Sequence, residues 1–413
     1  MISLPNHTRS ISSESQGELL DEVERHLRFL TETVEDRSVG SPGNQAATDY
    51  AHDVFSKLGW AVEEQTFEAL DWEDGVAAIT VDDEHRFGCS ASPYSDGCDI
   101  QAPLVVATNL DDVRQLPTDG ALLLLTGPIA QAPLLPKNFP FYKDDAQQDI
   151  IAALEASGAQ AVVTAASSAP MIEDGDFGLP AVFVSEDVGQ ALVGHSGRHV
   201  RLVSSCRRRP SAARNVIARI NDAEPERIVV TAHIDAKKGV PGALDNATGV
   251  TMLFLLAKVL DTYAGSYAIE LVALNGEDHY AVPGQLAYLQ ANPDLGSACV
   301  LNVNIDGIGY REGKTAYSFF QLGANFEEAA KAILTAQDQA CEGIAWAQGD
   351  HSMFVQAGCQ AIAVTSNWLL ENMFTQTITH SQADTMSLVD PEHLLNTTAA
   401  LKRFIEAVDQ NQH

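Results

Sequence analysis

The chain is short of basic residues: 25 Lys and Arg stand against 56 Asp and Glu, a formal net charge of −31. A field of that sign repels phosphate backbones and anionic bilayer surfaces, which argues against nucleic acid or a membrane as partner. Long apolar runs are missing as well. The first thirty residues contain no apolar core of signal-peptide length, and no later segment is long and uninterrupted enough to span a bilayer. Cysteine is sparse and scattered. Cys89, Cys98, Cys206, Cys299, Cys341 and Cys359 form no CxxC pair, which excludes a cysteine-built metal site and a disulfide framework and fits free thiols in a reducing compartment. The expected address is therefore the cytoplasm. HExxH, GxSxG and P-loop patterns are also absent, which removes three common catalytic designs.

What is present is organised around Ile228 to Val250, IVVTAHIDAKKGVPGALDNATGV. The β-branched run Ile228-Val229-Val230-Thr231 reads as a buried strand, with His233 and Asp235 at its carboxyl end and Asp245 beyond a Gly/Pro-rich gap. Ligands of open α/β sheets collect beyond the carboxyl ends of strands, so an imidazole and carboxylates there suggest a metal site. A polar loop with a satisfied histidine is the plainer alternative for this stretch alone.

From Asn215 onward strands and helices alternate. Strands are expected at 216–220, 228–232, 268–274, 299–305 and 361–365, and helices at 249–260, 284–290, 326–339 and 391–408. The expected fold class is therefore α/β, a three-layer sandwich around a mixed, largely parallel sheet. Residues 1–71 open with two amphipathic helices, the second stopped by Gly59, and then a strand from Trp60 to Phe67. They cannot complete a core alone and read as the N-terminal part of the catalytic domain, whose main part is 206–413. Between them, 72–205 changes texture to short strands broken by Pro, Gly and Asp, an inserted β-rich module with one helix at 149–157. The basic run Arg207-Arg208-Arg209-Pro210 reads as a solvated connector at its exit.

Four further clusters close strands or open helices: Asn275-Gly276-Glu277-Asp278, Asp306-Gly307, Gly349-Asp350-His351, and Thr379-His380 with Asp384-Thr385 behind. Two divalent ions need imidazole nitrogen and carboxylate oxygen with one carboxylate bridging. His233, Asp245, Asp278, Asp306 and His380 supply two imidazoles and three carboxylates. Glu277 is then a spare carboxylate suited to take a proton from water and pass it on.

The order AHIDxxxxxPGALDN, NGED, NxD, GDHxxF and TH…DT resembles the di-zinc exopeptidase family, which holds bacterial leucyl aminopeptidases, glutamate carboxypeptidase II, the transferrin receptor and glutaminyl cyclases. The resemblance is most specific from Asn215 to the C-terminus. In the middle block, DIIAALEASGAQAVV and GLPAVFVSEDVGQAL look like the protease-associated domain that some members carry as an insertion. The resemblance implies a peptide substrate and two divalent ions, zinc above all. His233 and Asp306 would hold one ion, Asp278 and His380 the other, and Asp245 would bridge. Glu277 would be the general base, and Asp235 would fix the tautomer of His233. Asp350 and His351 fall near the site without an assigned role. A cis peptide between Asp245 and Asn246 is implied too. At Asp278 the sequence departs from the family's usual glutamate by one methylene, which puts that ion's hold in question.

The reading is thus an aminopeptidase. A carboxypeptidase on the same scaffold should add a cationic pocket, and few arginines stand near these motifs. A cyclase of the family typically works with one zinc, whereas all five ligand positions are filled here. A binding member would have lost its ligands. Side-chain preference, native metal and oligomeric state are not encoded in any motif.

Overall fold

The structure is a computed structural model and describes residues 13–82, 84–165 and 170–410. Two compact units are present: residues up to Glu68 with those from Ala212 onward, and residues Ala69–Ser211.

In the first unit the apolar run around Val230 is central. Ile228, Val229, Val230 and Ala232 have no exposed surface, and their strand, Arg227–His233, has parallel neighbours on both sides, Ala268–Leu274 and Cys299–Ile305. A strand covered on both faces needs apolar side chains at consecutive positions, which is why this one does not alternate. The eight-stranded sheet runs in the order Ala61–Glu73, Arg207–Ile220, Ala268–Leu274, Arg227–His233, Cys299–Ile305, Ala361–Ser366, Thr315–Phe320, Ala340–Glu342. Its centre is parallel, while Arg207–Ile220 pairs antiparallel with Ala268–Leu274, and Thr315–Phe320 antiparallel with Ala361–Ser366. The fold is mixed α/β.

The helix Thr248–Val259 makes the crossover from Arg227–His233 to its parallel neighbour. It is buried nearly all round, with Val250, Leu253, Phe254 and Ala257 in the core. An apolar helix of that kind belongs inside a protein. It packs against the strands and against the helices Ser13–Arg28 and Pro391–Gln410, so the two ends of the chain close over it. Each fully buried Leu or Phe here contributes about 1.5–3 kcal/mol. Among the described residues no helix is long and apolar enough to cross a membrane.

The second unit holds a closed barrel in the order Ala77–Val81, His85–Ala91, Ala181–Val184, Ala161–Ala165, Leu122–Leu125, Cys98–Ala107, His199–Ser204. Leu122, Leu124, Val163 and Val182 fill its interior. The helix expected at 149–157 spans Asp145–Ala156, started earlier by the Asp144 side chain, which accepts from the Ala146 and Gln147 amides.

Two expectations need correction. The run Arg207-Arg208-Arg209-Pro210 is not a connector but the start of the strand Arg207–Ile220. Arg208 donates to the Tyr94 and Phe177 carbonyls and Arg209 pairs with Glu73, while Arg207, Arg209 and Pro210 stay exposed, so the run is solvated as expected although it is part of a strand. The helix expected to reach residue 339 ends at Leu334; the Thr335 hydroxyl donates back to the Lys331 carbonyl, and the chain turns into the short strand Ala340–Glu342.

Candidate metal centre

Strand register brings the first ligands together. His233 pairs with Leu274, which sets it beside the turn that carries Glu277 and Asp278. Thr231 pairs with Asn304, so two residues further along these parallel strands His233 faces Asp306. His233 Nδ1 lies 3.2 Å from the Asp235 carbonyl oxygen, to which it donates as Nδ1–H, leaving Nε2 free for the site. Nε2 lies 3.0 Å from Asp245 Oδ1 and 3.5 Å from Asp306 Oδ1.

The second group shares a residue with the first. His380 Nε2 lies 3.0 Å from Asp245 Oδ2 and 3.0 Å from Asp278 Oδ1. Each oxygen of Asp245 therefore faces one imidazole, and the two sets His233–Asp245–Asp306 and Asp245–Asp278–His380 each converge closely enough to hold an ion. The donor set fits divalent cations on a second ground. His233 Nε2 and both Asp278 carboxylate oxygens are buried and make no hydrogen bond, a costly state for polar atoms that a bound cation relieves.

The residues around the ligands fix the loops that present them. Asp235 is wholly buried, and its carboxylate accepts from the Gly276 amide at 2.7 Å, the Glu277 amide at 3.2 Å and the Asp278 amide at 3.0 Å. Its Oδ1 is 3.7 Å from His233 Nδ1, so the imidazole is oriented chiefly by the main chain of Asp235. The carboxylate holds the turn that carries Glu277 and Asp278. Gly276 sits at φ +137°, and a Cβ there would come within 2.8 Å of Pro283 Cδ, so the turn needs glycine. Asp384 does the same for the other loop, accepting from the Leu244 amide at 2.7 Å and the Asp245 amide at 3.0 Å. The Asp245–Asn246 peptide is cis. The Asn246 side chain donates to the Ile305 carbonyl at 2.8 Å and accepts from the Gly249 amide at 2.9 Å, tying the bridging segment to the strand that leads to Asp306.

Two supporting residues, Arg37 and Asn44, had no role in the sequence reading, and Asn275 entered it only as part of a motif. Arg37 is 1% exposed and donates to the carbonyls of Leu30, Ile234, Pro241 and Gly242, so its guanidinium clamps the loop between His233 and Asp245. Asn44 and Asn275 exchange side-chain hydrogen bonds at 2.8 and 2.9 Å, fastening the end of strand Ala268–Leu274 to the helix Pro42–Lys57. A buried arginine in a chain so poor in basic residues, just ahead of the Gly-Ser-Pro-Gly turn, was the available signal for the first.

Charge is distributed unevenly. Burial opposes ionisation of Asp245, yet the two imidazoles outweigh it and hold this carboxyl below its ordinary range. Burial raises Glu277 well above the usual carboxylate range, and the nearby Asp306, Asp278 and Asp350 charges add to that against His233. Burial pushes Asp350 up to about 7; one of its oxygens accepts from Gln285 at 2.7 Å and the other has no partner. His351 beside it is brought down to about 4 by burial, and its Nε2–H donates to the Trp346 carbonyl at 2.9 Å.

Asp245, Glu277, Asp306 and His380 line one wall of an open cleft of about 320 Å³. Trp346, Leu369, Leu370 and Met373 line its apolar side. A cleft with one apolar wall and convergent polar groups is the ordinary form of a small-molecule or peptide site.

Residues 215–405 match the model of Peptidase family M28. A probable lipoprotein aminopeptidase from Mycobacterium tuberculosis is 27% identical over 286 residues, which is 65% of this chain and 54% of that protein. The chain thus spans about half the length of that curated relative. The fold is shared with a zinc aminopeptidase from Bacillus subtilis, at TM-score 0.74 and 19% identity over 94% of each chain. It is also shared with an aminopeptidase from Aneurinibacillus sp. strain AM-1, at TM-score 0.72 and 18% identity over 94% of this chain and 93% of that one. Motif order, fold and family match point the same way: residues 215–405 are similar to peptidase family M28.

Proposed function

We propose that this protein is a two-metal aminopeptidase that releases N-terminal residues from peptides. The observation that carries the proposal is the pair of ligand groups sharing Asp245, set in the wall of a cleft beside an uncommitted carboxylate, Glu277. His233 and Asp306 would hold one ion and Asp278 and His380 the other, with Asp245 available to both. Zinc suits this imidazole and carboxylate set. Two such ions polarise the scissile carbonyl and lower the pKa of water; two-metal aminopeptidases are among the standing examples of that chemistry.

The chain's own residues do the rest. Glu277 takes a proton from the attacking water and delivers it to the departing amine. Asp235 acts as a positioning residue: it touches no reacting atom and holds the Glu277–Asp278 turn by three amides. The apolar wall of Trp346, Leu369, Leu370 and Met373 receives the substrate's side chain. We read the first unit as a three-layer sandwich and the barrel unit as a protease-associated domain. The latter reading is supported by its two motif stretches, which run helix to strand, Asp145–Ala156 to Ala161–Ala165, and strand to helix, Ala181–Val184 to Glu186–Val193. Six free cysteines favour a cytoplasmic address.

The test is release of N-terminal residues from a panel of unblocked and N-acetylated peptides, before and after chelation. Unblocked peptides are expected to be cut, acetylated ones spared, and activity lost on chelation and restored by zinc. Peptidase activity indifferent to chelator would overturn the proposal.

A further inference from the structure

We infer that Lys237 weakens the hold of the Asp278–His380 group on its ion and so sets the metal supply at which the protein becomes fully loaded. This rests on the two-metal reading above. The residue lies two positions past Asp235, in the loop between His233 and Asp245, and the fold brings its Nζ to 4.0 Å from Asp278 Oδ1. That same oxygen is 3.0 Å from His380 Nε2 and belongs to the group that converges on the open side of Asp245. At 4.0 Å the ammonium makes no hydrogen bond to Asp278, both of whose oxygens are without one, so the carboxylate stays available to a cation.

Two cations then compete for one carboxylate. A metal–oxygen bond is about 2 Å long, so any ion on Asp278 Oδ1 has the ammonium within about 6 Å. Even with the screening of bulk water, a single charge at about 6 Å from a divalent ion disfavours it by about tenfold, and a less polar surround makes the penalty larger. Asp278 is 2% exposed at its side chain and Lys237 23%, so screening here falls short of bulk water. None of this acts equally on the other ion, whose ligands His233 and Asp306 have no ammonium within ion-pair distance among the described residues. Lys238, the next residue, has its ammonium on Asp36 at 2.7 Å and serves as the comparison.

The experiment is a zinc titration of the metal-stripped full chain, followed by calorimetry and by competition with a chromophoric chelator, on wild type, Lys237→Met, Lys237→Arg and Lys238→Met. Wild type is expected to bind one ion tightly and one more loosely. Lys237→Met should tighten the looser class by about tenfold or more, leaving the tight class within about twofold, whereas Lys237→Arg and Lys238→Met should match wild type. The gap between Lys237→Met and wild type should shrink as salt is raised, as charge repulsion at a partly exposed site requires. If wild type binds no second ion, the two-metal reading itself fails. If two classes are present and Lys237→Met leaves the looser one unchanged, or Lys237→Arg tightens it as much as Met does, the inference is overturned while the two-metal reading stands.

Discussion

The two halves of the metal centre are built from the same kinds of donor and differ in what surrounds them. Around His233 the site is closed: the imidazole is 1% exposed, its Nδ1 is committed to a main-chain carbonyl, and one of its partner carboxylates, Asp306, directly follows the strand paired beside its own. Around His380 it is open: that side chain is 52% exposed, sits on a loop at φ +59°, and shares Asp278 with an ammonium. Burial removes competing water and fixes donor directions, whereas an exposed ligand on a loop must be ordered each time an ion binds. The lesson is that ligand identity alone does not rank two metal sites, because support from the sheet does.

The contrast is tested first at the carboxylate that belongs to neither half. Glu277→Gln should lower turnover by about 10²–10⁴-fold, the usual worth of general acid–base catalysis, while both classes of zinc remain in the titration. Loss of an ion along with activity would mean that Glu277 is a ligand and not a base. A second variant separates the halves. Asp278→Ala should weaken the looser class by about a hundredfold or more, since even residues behind a ligand are worth about 10–100-fold. The His233–Asp306 ion should be largely spared. Equal weakening of both classes would show that the centre loads as one unit, and the comparison would dissolve.

The smallest effect concerns the wall behind the closed half, where the Asp350 charge faces His233 and Asp306, with His351 as its neighbour. Burial brings His351 down to about 4 from an ordinary 6.5. Its folded value is depressed, so the stability it contributes is fully present above pH 6.5 and is lost as the pH falls from there to about 4. The loss amounts to about 3 kcal/mol over that window. In urea midpoints compared across pH 4–7, wild type should lose stability relative to His351→Gln by about that amount as the pH falls. Parallel curves would mean that His351 does not titrate between the folded and unfolded states.

How much of this was legible in the sequence follows the same division. The strand ends were readable because β-forming stretches stop at His, Asp or Glu, as at Ile228–His233 and Val300–Asp306. The order of those stops carried the resemblance. Arg37 and Asn44 were not readable in their roles, because each acts on residues far along the chain: Arg37 on the carbonyls of Ile234, Pro241 and Gly242, Asn44 on Asn275. Hydrogen bonding to a main-chain carbonyl leaves no mark on the partner's sequence. The strands Ala77–Val81, His85–Ala91 and His199–Ser204 escaped notice for a related reason. They are short, the second and third carry arginine and histidine at exposed positions, and they pair with strands that only the closed barrel supplies. Asp235 was read as the partner of His233, and its carbonyl does face the imidazole; that its carboxylate also accepts from three amides on another loop was not visible in the pattern.

That last arrangement separates two kinds of inheritance. The path of the main chain through Gly276, Glu277 and Asp278 is dictated by a carboxylate that lies outside the turn and by a glycine within it. The side chains at 277 and 278 are passengers on a rigid bend that they do not themselves shape. A lineage can therefore shorten position 278 from glutamate to aspartate without unmaking the bend. Ion affinity can drift at one position while the carboxylate next to it keeps its aim.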